Sequence, residues 1–232
     1  MATASRLTEQ ELGALRQFDT CMLANAIEKF NVRLHNTGFT NGNIQCMFPD
    51  QPPLLGYAVT ARLRSGEPPI GGGTYHDRSD FWNYIQEAPA PRVLVLQDMD
   101  RPAGRGAFIG DVHSAILSAL GCIGCVTNGA VRELSSVREI GVQLFAGSIA
   151  VSHAYAHIFD FGAVLTVDGM DVRPGDLLHG DRHGVLTIPL EIASAVPEVA
   201  ARLQQSERRV IEYCRSTDFS ISKLSDVMKT IR

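Results

Sequence analysis

The chain predicts an α/β fold built around a parallel β-α-β-α-β unit, with helices before and after it. Three observations lead there. Arg92 opens an uninterrupted apolar run over residues 93–96, as expected for a strand covered on both faces. From Asp111, the residues Val112, Ala115, Ile116, Ala119 and Leu120 fall at helical spacing, and Gly121 supplies a C-terminal stop. Residues 122–127, 134–140 and 142–146 then repeat the order strand, helix, strand, with the helix again closed by a glycine, Gly141.

The flanking elements follow the same logic. Thr8 and Glu11 form a capping box that starts a helix over residues 9–17. A second helix runs from about Thr20, where Met22, Leu23, Ala26, Ile27 and Phe30 keep one apolar face up to Asn31. Residues 32–53 are polar and read as a connecting segment, and residues 54–64, LLGYAVTARLR, alternate as a strand does. Residues 65–90 make a Gly/Pro-rich loop leading into a short aromatic helix at about 80–86, with Phe81, Trp82 and Tyr84 as its anchors. Residues 104–110 read as a flexible loop. Beyond Ser148, the turns at Asp168-Gly169 and at Pro174-Gly175-Asp176 join short strands into a folded-over β layer. Residues 191–214 and 221–232 are helical.

Composition narrows the class. The 232 residues are 45% hydrophobic and 20% charged, enough for a sizeable core. A formal net charge of -4 argues against nucleic acid as a direct ligand. No apolar run is long enough to cross a bilayer, and MATASRLTEQELG reads as neither signal peptide nor lipidation motif, so a cytoplasmic location is expected. The five cysteines are odd in number and scattered, so Cys122 and Cys125, though a C-x-x-C, read as small buried residues. The Gly72-Gly73 run does not form a Gly-rich strand-to-helix turn suited to a nucleoside cofactor, so a methyltransferase finds no support.

The β-α-β-α-β unit also places a site. Right-handed crossovers bring the loop before Asp111 and a turn at Asn128-Gly129 to the carboxyl ends of neighbouring strands, where they share a crevice. Gly110, Asp111, Val112 and His113 offer helix N-terminal amides to a carboxylate or phosphate. Arg132 and Glu133 add a guanidinium and a carboxylate. The plainer alternative puts Glu133 on the dipole of its own helix and leaves Arg132 a surface cation. His153 and His157, spaced i and i+4, and the pair His179 and His183 around a Gly-rich turn read as structural or subunit-contact residues, the sharper alternative being that one of the two clusters reaches a neighbouring subunit's crevice.

Taken together, Gly110-Asp111, Gly121-Cys-Ile-Gly124, Asn128-Gly129-Ala-Val-Arg132-Glu133, Val172-Arg-Pro-Gly-Asp176 and Gly180-Asp181-Arg-His-Gly184-Val185 resemble the RraA-like family over about residues 18–189. That family includes class II pyruvate aldolases acting on 4-hydroxy-4-methyl-2-oxoglutarate and 4-carboxy-4-hydroxy-2-oxoadipate, and also regulators that bind and inhibit an endoribonuclease. The resemblance implies one domain over residues 1–232, with N-terminal helices at about 8–31, a core at about 54–189 and C-terminal helices at about 190–232. It implies a layered α/β/β fold of the swivelling type, assembled as trimers or hexamers with sites at subunit interfaces.

It also implies roles. Gly110, Asp111, Val112 and His113 would hold the pyruvyl carboxylate of a small oxo acid, and Arg132 would contact its carbonyl oxygen. In the family the next residue is an aspartate that holds a divalent metal largely through waters, with a second acidic residue three positions later. Here these positions are Glu133 and Ser136, so weak Mg²⁺ or Mn²⁺ binding at Glu133 is expected. The implied reaction is retro-aldol release of pyruvate, with Arg132 and Asp111 catalytic; decarboxylation of oxaloacetate passes through the same enolate.

Overall fold

The structure, a computed structural model, describes residues 6–70 and 79–229. Its contacts divide into two compact units, one formed by the chain up to His35 with the chain from Glu191 on, the other by Asn36–Leu190.

The first unit is helical. Helix α1 (Glu9–Leu15) carries the expected capping box, in which the Thr8 hydroxyl accepts from the Glu11 amide while the Glu11 carboxylate accepts from the Thr8 amide. Helix α2 (Thr20–Glu28) is capped by Asp19 and buries Leu23, Ala26 and Ile27. It packs along α6 (Val196–Cys214), which starts with Pro197 in its first turn and buries Val196 and Ala200. Helix α7 (Ile221–Met228) is capped by Ser220. No described helix is long and apolar enough to cross a membrane.

The second unit is a layered sheet. Strands β1 (Gln45–Cys46), β2 (Leu54–Arg64), β3 (Arg92–Asp98), β4 (Ala107–Ile109), β5 (Cys122–Val131), β6 (Gln143–Ile149), β7 (His157–Phe161), β10 (Leu177–Asp181) and β11 (Gly184–Ile188) form one sheet. Its path runs β1-β6-β5-β3-β2-β10-β11, with β4 beside β5 and β7 beside β2. The centre, β2-β3-β5-β6, is parallel, as is the β4-β5 pairing, and the pairings of β1, β7, β10 and β11 are antiparallel.

Helices α3 (Ser79–Glu87), α4 (Asp111–Ala119) and α5 (Leu134–Ile140) cover one face, where Phe81, Ile85, Leu117 and Val137 meet Leu94, Leu96, Cys125 and Leu144. The hairpin β8 (Leu165–Val167) and β9 (Met170–Val172) covers the other, its four apolar side chains against Val93, Val95 and Val126. This is the α/β/β layering expected of the fold. Cys122 and Cys125 are free and buried on the helical face; burial pushes the Cys122 thiol up to about 12, which closes thiolate chemistry there.

Several local expectations are corrected. Asn128-Gly129 is not a turn. Strand β5 continues to Val131 through a bulge between Thr127 and Ala130. The Asn128 side-chain amide takes over the ladder at this point, accepting from the Asp98 amide at 2.8 Å and donating to the Asp98 carbonyl at 2.9 Å. Residues 104–110 are not a loose loop either, because Ala107–Ile109 forms the fully buried β4. The supposed connecting segment contains β1. Of the expected β layer, β8 and β9 stand apart, whereas β10 and β11 extend the main sheet.

Helix α4 is turned from the predicted face. Ser114 and Leu117 are buried, while Val112, Ala115 and Ala119 are exposed, because the side toward the sheet is set by packing on β5 rather than by counting apolar residues. Gly72-Gly73 lies outside the described residues.

Candidate active site

A cavity of about 290 Å³ opens at the carboxyl ends of β4 and β5. Gly110, Asp111, Val112, His113, Arg132 and Glu133 all line it, so the structure brings the six predicted positions together. Strand β4 ends one residue before Gly110, the N-cap of α4, and β5 ends one residue before Arg132. Backbone pairing ties the two, with the Arg132 amide donating to the Ile109 carbonyl at 3.0 Å. Ser136, the position of the family's second acid, is exposed and does not line the cavity.

Glu133 occupies the left-handed region (φ 56, ψ 40) at the N-cap of α5. Its side chain makes no cap there. It crosses instead to the start of α4, where Oε2 accepts from the Asp111 amide at 3.0 Å and Oε1 pairs with the Arg132 guanidinium. Neither sequence-based alternative described this arrangement: Glu133 sits on a helix dipole, but that of α4, and Arg132 is its partner rather than a separate tool. The Arg132 guanidinium and then the Asp111 amide hold the Glu133 carboxyl down to about 2, so it is an anion throughout the neutral range.

Gly110 leaves room for the same contact. A Cβ at that position would run into the Glu133 carboxylate and stand 3.2 Å from Arg132 Cγ. The amide of Val112 is also bonded, to Asp111 Oδ1 at 2.6 Å. The anion seat at α4 is therefore filled by the protein's own carboxylates.

Sequence reasoning did not place two further residues here. Trp82, taken as a core anchor of the aromatic helix, and His153, taken as a structural or subunit-contact residue, both line the cavity. No local motif marks either; they arrive from a helix and a loop distant in sequence. His153 Nδ1 bonds the Ala154 carbonyl at 2.8 Å, and the His113 ring packs tilted against Phe108 with centroids 4.3 Å apart. His157 lies on β7, so the i, i+4 pair is not helical. His179 is buried in β10, and Asp181 binds the His183 amide and ring across the β10-β11 turn.

Among the described residues, no group of three or more His, Cys, Asp or Glu is placed to hold a metal. Glu133 and Asp111 nevertheless set two carboxylates in one cavity, a donor set that suits a mostly hydrated Mg²⁺ or Mn²⁺, which commonly takes one or two carboxylates. Both Glu133 oxygens are already engaged, by Arg132 and the α4 amide, and a cation there would have to compete with those partners.

The chain is 25% identical over 143 residues to Protein DlpA of Legionella pneumophila, covering 60% of this chain and 22% of that protein. It is 30% identical over 137 residues to a protein of Halalkalibacterium halodurans that carries the provisional name 4-hydroxy-4-methyl-2-oxoglutarate aldolase, covering 59% and 60% of the two chains. It thus spans less than two thirds of the length of these two curated relatives. The fold is shared with an uncharacterized protein from Pseudomonas syringae (TM-score 0.75, 22% identity, 99% and 98% coverage). It is shared too with Streptomyces coelicolor RraAS2, described as an unusual member of the RNase ES inhibitor RraA family (TM-score 0.68, 20% identity, 88% and 96% coverage). A family model described as RraA-like, Aldolase/RraA, matches residues 20–187, and the chain belongs to that family.

Proposed function

We propose that the protein is a lyase that cleaves a 4-hydroxy-2-oxo acid by a retro-aldol reaction to release pyruvate, with decarboxylation of oxaloacetate as a second reaction of the same site. The observation that carries this reading is the meeting of Arg132, the start of α4, and the carboxylates of Asp111 and Glu133 in one cavity. Cleavage between C3 and C4 leaves an electron pair on the pyruvate fragment, as an enolate whose charge lies on the C2 oxygen. Arg132 stabilises that oxygen. The amides from Asp111 to His113 receive the substrate carboxylate once the Glu133 and Asp111 carboxylates withdraw from them. Asp111 orients the water that takes the proton of the 4-hydroxyl, and return of that proton to C3 of the enolate completes pyruvate. A divalent cation held by Glu133 with Asp111 would supply Lewis-acid polarisation of the oxo acid.

Pyruvate release from 4-hydroxy-4-methyl-2-oxoglutarate and from oxaloacetate, measured with Mg²⁺, with Mn²⁺ and with chelator, tests this. Turnover that is lost with chelator and abolished in Arg132→Ala is expected; turnover indifferent to chelator removes the metal from the reading. A second reading, a non-catalytic regulator of an endoribonuclease or another protein partner, is favoured by the closure of the anion seat by Glu133. Absence of turnover on both substrates in the wild type favours it. We take the enzyme to be a cytoplasmic homo-oligomer, trimer or hexamer, which sedimentation equilibrium resolves.

A further inference from the structure

A second cavity, of about 400 Å³, shares no lining residue with the candidate active site. Three arginines border it: Arg64 at the end of β2, and Arg101 and Arg105 on the segment that joins β3 to β4. We propose that this cleft binds a small multivalent oxyanion, of the polycarboxylate or phosphate class, through those guanidinium groups.

Two features carry the proposal. The first is that Arg101 and Arg105 make no hydrogen bond or ion pair with any described residue, although both border the same cavity. The acidic groups of the cleft do not serve them. Asp100 Oδ2 is taken by the amides of Ser65 and Gly66, at 2.7 Å each, and by the Ser65 hydroxyl at 3.0 Å. Glu67 is exposed.

The second feature is the rigidity of the segment that displays the two arginines. Asp98, 3% exposed, accepts from the Asp100 amide with Oδ1 at 2.9 Å and from the Gly104 amide with Oδ2 at 2.7 Å, closing the loop between them. The Met99 amide donates to the Leu63 carbonyl at 3.0 Å, and the Gly106 amide to the Ser65 hydroxyl at 3.0 Å. Arg64 is held as well, with its guanidinium 5.3 Å from the centre of the Phe159 ring. A loop pinned by a buried carboxylate positions its arginines before any ligand arrives, which lowers the ordering cost of binding. Guanidinium forks match the paired oxygens of carboxylate and phosphate.

Isothermal titration of the full chain with citrate, malonate, inorganic phosphate and pyrophosphate, at matched ionic strength in chloride, tests the site. Saturable binding of at least one of these anions is expected, and the tighter class identifies the source of the oxyanion. The double substitution Arg101→Ala with Arg105→Ala weakens that binding at least tenfold, the corresponding lysine pair weakens it less, and Arg132→Ala leaves it within twofold. Circular dichroism melts confirm that the variants fold. Binding unchanged in the double alanine variant overturns the proposal, as does binding abolished by Arg132→Ala, which would put the anion in the cavity at α4. Absence of saturable binding in the wild type overturns it too.

Discussion

Replacing Glu133 with glutamine tests whether the protein guards its own anion seat. Glutamine keeps the size and can still accept from the Asp111 amide, but it cannot pair with Arg132. Both side chains of the pair are about a third exposed (28% and 32%), so solvent screens it. A partly exposed ion pair contributes about 0.2–1 kcal/mol. A charge at a helix N-terminus contributes about 0.3–1 kcal/mol. An external carboxylate that takes over these donors must overcome the sum, about 0.5–2 kcal/mol, which at 1.4 kcal/mol per decade corresponds to roughly 2- to 30-fold in affinity. Oxalate, a planar dianion with the shape of the pyruvate enolate, should therefore bind Glu133→Gln more tightly by that factor in isothermal titration at pH 7 with chelator present. With Mg²⁺ present the order should reverse, because the glutamine no longer offers a charged ligand. Unchanged or weaker oxalate binding by the variant in chelator refutes the idea that Glu133 competes for the seat.

Further outcomes follow from the same geometry. The Glu133 carboxyl is lowered from 4.5 to about 2, so the stability it contributes is fully present above pH 4.5 and drains as the pH falls through about 2. The gap in urea midpoint between wild type and Glu133→Gln should accordingly narrow as the pH is lowered below 4.5. Gly110→Ala should displace the Glu133 carboxylate and lower the melting temperature by a few degrees, taking about 1 kcal/mol for a contact that a side chain can partly evade. Asn128→Ala removes two hydrogen bonds to the backbone of Asp98 and should cost about 1–3 kcal/mol in denaturant unfolding. A thiol reagent should modify the exposed Cys21 and Cys214 in the native protein, and Cys122 and Cys125 only on unfolding.

What the sequence disclosed of the fold depended on whether a signal was local. Strand β2, the strand at Val93 to Leu96, and helices α1, α4 and α5 could be read because each carries its periodicity or cap within its own residues. The bulge in β5 could not. Asn128-Gly129 is a turn dipeptide by local preference, and it is kept in the strand by what lies across the sheet. The Asn128 amide replaces the Asp98 ladder bonds, and a Cβ on Gly129 would stand 3.0 Å from Asp98. Strand β4 escaped for a related reason, since three residues between glycines show no alternation until β5 pairs with them.

The site was legible in membership and not in state. Spacing alone brings Gly110 to His113 and Arg132-Glu133 to one end of the sheet, because parallel strands joined by right-handed crossovers deliver successive loops to the same edge. The direction of the Glu133 side chain, in contrast, follows from one backbone angle. At φ 56 its Cα–Cβ bond is turned away from α5 and toward the amides of α4, and a residue that ordinary helix-start reasoning would set on its own dipole neutralises another helix and the neighbouring guanidinium. Holding a non-glycine residue there costs on the order of 1 kcal/mol. The ion pair and the amide offset that cost in the absence of ligand. Anything that drew the carboxylate away would release the Arg132 guanidinium and the Asp111 amide together. Metal and oxo acid would then bind cooperatively, each removing the obstacle the other meets, and the coupling would vanish in Glu133→Gln.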